Sequence, residues 1–133
     1  MFVINEEDKS IYVTRGDAMM IGVTMSDDEG NPQNFLEGDT VRLKIYAKKN
    51  ASNVVLTKDY LVVSERASVE IYLSSDDTKI GGEISKPKDY WYEIELNPDG
   101  DTQTIIGYDG DGAKVFRLFP EGGDYLMEDE ANE

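Results

Sequence analysis

Residues 90–96 read YWYEIEL and alternate apolar with polar positions over their whole length. The apolar phase consists of Tyr90, Tyr92, Ile94 and Leu96. Trp91 falls on the opposite phase, together with two glutamates. Because successive side chains of a β-strand point to opposite faces of its sheet, this stretch predicts a strand that buries one face and exposes the other.

The same two-residue period recurs along most of the chain. Further strand candidates are IYVT (11–14), MMIGVTM (19–25), TVRLKIYA (40–47), NVVLTKDYLVV (53–63), ASVEIYL (67–73), TQTIIG (102–107) and KVFRLF (114–119). Turn-forming residues separate these runs, most clearly the Asn-Pro-Asp-Gly sequence at 97–100. Short strands with such turns predict an all-β fold, and we expect an immunoglobulin-like antiparallel β-sandwich of about seven to nine strands.

Two turns and one helical turn are expected between these strands. Gly16 and Asp17 form the first turn, in which Gly supplies an unusual φ and Asp caps the turn with its side chain. Pro98 and Gly100 form the second, in which Pro presets one backbone angle and Gly takes the positive φ that closes a hairpin. Residues 74–79 begin with a serine cap and acidic residues, so we expect one short helical turn there.

The composition excludes several kinds of chemistry. The 133 residues include no Cys and no His. Disulfides and Cys-based zinc sites are therefore excluded, and the commonest general base and transition-metal ligand are missing. The formal net charge of −15 opposes binding to nucleic acid and to anionic membrane surfaces. The N-terminal residues have neither a basic start nor a long apolar run, so we expect no secretory signal.

One domain is expected for a chain of this length. We assign residues 1–120 to the immunoglobulin-like sandwich. Residues 121–133 contain acidic but no basic side chains, and we expect them to form a mobile acidic tail.

Aromatic rings on solvated phases are the first candidates for a binding site. Trp91, Tyr46 and Tyr72 all fall on the polar phase of their strands, where flat rings can stack on sugars or anchor a protein partner. The alternatives are that the rings only cover the sheet, or that Trp91 is a core residue and the phase of its strand is reversed.

Acidic clusters and one short motif supply the other candidates. Asp109 and Asp111 alternate with glycines, which suits a hard cation such as Ca²⁺, but β-turns use the same residues and no full ligand loop is present. We therefore assign no metal and no cofactor. The tripeptide at 15–17, Arg-Gly-Asp, matches an integrin-recognition signal, which requires an exposed hairpin tip. Two-carboxylate glycosidase chemistry remains open in principle, but no acidic pair is singled out, so we predict a protein that is not an enzyme.

The order of the segments resembles a known family. The stretches that carry the resemblance are VTRGD, IGVTM, DDEGNPQNFLEGDTVRLKI, ASVEIYLSSDDTKI, YWYEIEL and NPDGDTQTII. They are similar to the first strands, the strand with a one-turn helix, the aromatic strand and the hairpin of an immunoglobulin-like domain. That domain is common in tail modules of phages and prophages of Gram-positive bacteria, including the N-terminal domains of baseplate upper proteins. The resemblance covers about residues 10–119.

The resemblance implies a structural role in the virion. Such domains dock receptor-binding parts onto a baseplate core, so the expected partners are other phage tail or baseplate proteins, with self-association left open. The protein would be assembled in the bacterial host cytoplasm. The family's first two strands are joined by a T-x-G-D connection, which favours a turn at 15–17. The alternative function is an extracellular or cell-surface module that binds carbohydrate or protein through exposed aromatic rings.

Overall fold

The computed structural model describes residues 2–4 and 7–121, so the predicted acidic tail lies outside the described residues apart from Glu121. Ten strands and no helix occur within these ranges. The strands are β1 (Phe2–Ile4), β2 (Ile11–Thr14), β3 (Met19–Ser26), β4 (Pro32–Gln33), β5 (Thr40–Lys48), β6 (Ser52–Leu61), β7 (Ser68–Leu73), β8 (Lys88–Leu96), β9 (Gln103–Ile106) and β10 (Lys114–Phe119). None of the described residues belongs to an apolar helix of membrane-spanning length.

The strands form two sheets. The larger sheet has the order β1-β2-β10-β8-β5-β6. On one side of β8, the N-terminal part of the strand pairs with β10 and the C-terminal part pairs with β9. In the smaller sheet, β3 lies between β4 and β7. The all-β class is thus confirmed. The short strands β1 and β4 were not predicted, because neither shows apolar alternation of its own.

One strand pair departs from the expected antiparallel pairing. β2 runs parallel to β10, with Ile11 opposite Phe116 and Thr14 opposite Phe119. Parallel strands cannot be joined by a tight hairpin, and these two are separated by most of the chain. The larger sheet is therefore mixed, and the prediction of antiparallel pairing throughout is wrong at this pair.

Inward-facing side chains of both sheets form one hydrophobic cluster. Every second residue of β8 from Tyr90 to Leu96 is buried, and Trp91 is only half-buried. The strand therefore buries the residues predicted from the sequence, and the alternative with Trp91 in the core is wrong. β3 alternates in the same way, with buried residues at every second position from Met19.

The helical turn predicted after β7 is wrong. Its cap chemistry is present, because the Asp77 amide donates to Ser74 Oγ at 3.2 Å and the Ser74 amide donates to the Asp77 carboxylate at 2.9 Å. However, the chain is fixed soon afterwards by the buried Thr78. Its hydroxyl donates to the Asp17 carbonyl at 2.8 Å and accepts from the Gly16 amide at 3.0 Å. Hydrogen-bonded turns replace the helix because a first helical turn is costly unless more turns follow.

A candidate binding pocket on the outer face of the larger sheet

The outer face of the larger sheet carries charges that are paired with one another. The ion pairs are Arg42–Asp59 at 2.7 Å, Lys44–Glu95 at 3.2 Å and Arg117–Asp89 at 2.6 Å. The hydrogen bond from Arg42 holds the pKa of the Asp59 carboxyl below its usual range. Because these charges neutralise one another, we looked for a binding site in the aromatic part of this face.

A cavity of about 280 Å³ lies in that aromatic part. Tyr46 of β5 and Trp91 of β8 are cross-strand neighbours and both line it. Tyr108, which lies between β9 and β10 and is 80% exposed, lines it as well. The structure therefore brings together two of the three predicted aromatic residues and adds a third ring from a loop.

Tyr46 is buried, so the expectation that it presents an exposed ring is wrong. Only 6% of the residue is exposed. Its hydroxyl donates a hydrogen bond to Glu93 Oε1, and its ring lies next to Trp91 in the register of the sheet. Burial, and then the hydrogen bond to Glu93, raise the pKa of Tyr46 well above its ordinary value. Tyr46 thus fixes the Glu93 carboxylate at the pocket instead of offering a free surface.

The acidic turn after β9 directly follows Tyr108 and is held by its own hydrogen bonds. The Asp109 carboxylate accepts the Asp111 amide at 2.9 Å and the ammonium group of the buried Lys114 at 2.7 Å. The bond from Lys114 lowers the pKa of Asp109. Gly112, with a φ of 93°, closes the turn. Within the described part of the chain, no group of three or more His, Cys, Asp or Glu residues could hold a metal ion.

Tyr72 lies apart from the pocket. It belongs to β7 of the smaller sheet, between the buried residues Ile71 and Leu73, and is 54% exposed. The three aromatic residues predicted from the sequence therefore do not form one site, because Tyr72 and Trp91 are on different sheets.

The tripeptide at 15–17 forms a turn between β2 and β3. Gly16 has a φ of 90°, and the Asp17 amide donates to the Thr14 carbonyl at 3.0 Å. The side chain of Arg15 is only 12% exposed and donates to Glu121 Oε1 at 3.1 Å. An integrin ligand needs a free arginine, and this one is engaged within the molecule.

The turn at 97–100 joins β8 to β9, but not with the backbone angles expected. The residue with positive φ is Asn97, at 51°, and not Gly100. The Gly100 amide donates to the Asn97 carbonyl at 3.0 Å, across Pro98. Asn97 takes the unusual angle because its side chain is held in place, accepting the Thr40 amide at 2.9 Å, and asparagine tolerates the left-handed region better than most residues.

Tyr108 and Glu93 are among the pocket residues that the sequence did not single out. Glu93 shares the polar phase with Trp91 two positions earlier, which is a signal that could have been used. Tyr108 directly precedes the acidic turn, but nothing in the sequence says that this turn folds back towards Tyr46.

A larger cavity of about 710 Å³ lies between the two sheets, next to β3 and β9. Its lining mixes aliphatic side chains with uncharged polar ones such as Thr24, Gln33 and Gln103, and Lys9 is the only charged residue among those described there. The smaller pocket differs in its cluster of aromatic rings and in the Glu93 carboxylate held beside them, so we take it as the candidate binding site.

No protein-family model matches the sequence, and a search of curated proteins found no match. Its function has to be inferred from its own residues and geometry.

Proposed function

We propose that the chain is an immunoglobulin-like β-sandwich and a non-enzymatic structural protein of a phage or prophage tail or baseplate. It acts through protein–protein contacts and is incorporated into the virion after assembly in the bacterial host cytoplasm. The order of the larger sheet supports the fold, because β8 lies between β5 and β10 while β3 pairs with β7 in the second sheet. Paired inner faces with a shared core are typical of such sandwiches.

The observation that carries the docking function is the free edge of β6. This ten-residue strand is the last of the larger sheet in the described structure and pairs only with β5. The edge of a terminal strand presents backbone N–H and C=O groups that a partner strand can bind. Val54, Val55 and Leu61 are exposed at 52%, 40% and 62% on this strand, so a partner would also bury apolar surface.

The charges on β6 do not protect its edge in the way that charged edge residues often do. Lys58 is paired with Asp77 at 2.9 Å, and Asp59 is paired with Arg42. Both charges are thus satisfied within the molecule. A strand brought alongside would meet neither an unpaired lysine nor a proline within residues 52–61.

The net charge indicates the kind of partner. At −15, free copies repel one another, and a basic partner surface is attracted over several ångströms. The charge therefore favours association with a different, basic tail or baseplate protein over association between copies of this chain.

Reconstitution with purified tail and baseplate proteins of the same phage or prophage tests this function. We expect a complex of defined stoichiometry in analytical ultracentrifugation. Val55→Lys places a charge on the free edge and should abolish the complex. Tyr72→Lys is the matched control, because it adds the same charge to an exposed position of the other sheet and should leave the complex intact.

Two results would contradict the proposal. If wild-type protein associates with none of the tail and baseplate proteins, the structural role is wrong. If the complex forms and survives Val55→Lys but not Tyr72→Lys, the role stands and the smaller sheet, not β6, is the docking surface.

A further inference from the structure

The geometry of the aromatic pocket points to a ligand as well as a protein partner. We propose that the cavity lined by Tyr46, Trp91, Glu93 and Tyr108 binds a neutral saccharide through one sugar ring. This inference does not depend on docking through β6, since it concerns a different surface and a small molecule.

The rings provide an apolar platform with polar groups beside it. Trp91 is half-buried, so one part of its indole remains available. Tyr108 is 80% exposed at the rim. Flat aromatic rings next to hydrogen-bonding groups suit ligands that have one apolar face and several hydroxyls.

The polar groups are placed to meet those hydroxyls. The Glu93 carboxylate is held by the Tyr46 hydroxyl through one oxygen and has further acceptor capacity. Asn50 and Lys49, from the turn after β5, also line the cavity. A purely apolar ligand would bury these groups without partners, which costs free energy.

The charges around the pocket favour a neutral ligand. Lys49 lines the cavity and opposes a cationic side chain such as arginine, whereas the charge of Lys114, which also lines it, is compensated by the ion pair with Asp109. Glu93 lines it too, and together with the net charge of −15 it opposes an anion. A neutral polyhydroxylated ring meets neither penalty.

The size of the cavity limits the ligand to one unit. Pockets for drug-sized molecules begin at about 300 Å³, and this one measures about 280 Å³. A single ring therefore fits, with the rest of a longer glycan lying outside over Tyr108.

The sequence supplies a reporter at the site, because Trp91 is the only tryptophan. We would titrate the full chain with glucose, galactose, mannose, rhamnose, N-acetylglucosamine and N-acetylgalactosamine up to about 100 mM, since single rings bind weakly. We expect a saturable change in tryptophan emission with at least one of these sugars. N-acetylarginine amide serves as the cationic probe and should give no saturable change.

Variants localise the signal. Tyr108→Ala changes a side chain that is 80% exposed, so the fold should persist, and sugar affinity should fall about tenfold with the loss of one ring contact. Tyr72→Ala is the matched control, on the other sheet, and should bind as wild type does. The proposal is overturned if no sugar gives saturation, if only the arginine derivative does, or if Tyr72→Ala weakens binding as much as Tyr108→Ala.

Discussion

The inner faces of the two sheets follow the same two-residue alternation, but their outer faces differ in how exposed the side chains are. On the larger sheet, outward side chains from neighbouring strands are paired, as in Arg42–Asp59, and Tyr46 is buried among them. On the smaller sheet, Met20 and Tyr72 remain exposed at 45% and 54%. In the wide sheet, strands on both sides of β5 cover the outward ring of Tyr46, whereas the edge strand β6 of the same sheet leaves Val54, Val55 and Leu61 exposed.

The sharpest test of this difference is truncation of an outward aromatic on each sheet. Trp91→Ala should lower the free energy of unfolding by about 2 kcal/mol, because a half-buried ring loses part of what a buried one contributes. Tyr72→Ala should cost less than about 0.5 kcal/mol. Urea denaturation followed by circular dichroism measures both. Equal losses would mean that the two faces are equivalent.

Tyr46→Phe tests whether the Tyr46 hydroxyl, in addition to its ring, stabilises the larger sheet. The change leaves the half-buried Glu93 carboxylate without its donor. The expected loss is about 1.5 kcal/mol, which is typical of a hydrogen bond to a charged group. Tyr72→Phe, on the smaller sheet, should be nearly neutral. A neutral result for Tyr46→Phe would show that this hydrogen bond contributes nothing to stability.

The contribution of the same buried hydroxyl to stability should be lost at alkaline pH. The folded pKa of Tyr46 is raised above the ordinary value of 10.0, first by burial. A raised pKa stabilises the fold fully below the ordinary value, and this contribution is lost as pH rises through the folded pKa. The melting temperature of wild type should therefore fall above about pH 10, and more steeply than that of Tyr46→Phe. If the melting temperatures of the two proteins fall in parallel as pH rises, the raised pKa of Tyr46 is contradicted.

The sequence predicts the inner faces well and the outer faces poorly, for a physical reason. Burial of Ile94 in β8 or Ile21 in β3 follows from alternation within one strand. Burial of Tyr46 depends on which strand lies beside β5. Tyr108 lies in a loop whose next residue, Asp109, pairs with Lys114 of β10. Such contacts between distant segments leave no periodic signal, so two of the pocket's four main residues were not predicted.

The smallest expected effect concerns the ion pairs of the larger sheet. Asp59 is 44% exposed in its side chain, so Asp59→Asn should cost only about 0.5 kcal/mol at pH 7. The Arg42 hydrogen bond lowers the pKa of Asp59. Its stabilising contribution is therefore present above the ordinary pKa and lost as pH falls through the folded pKa. The difference in melting temperature between wild type and Asp59→Asn should accordingly vanish in strong acid and shrink in high salt. A difference that persists in both conditions would mean that the aspartate acts through packing, in which case the outer face of the larger sheet is held by shape more than by charge.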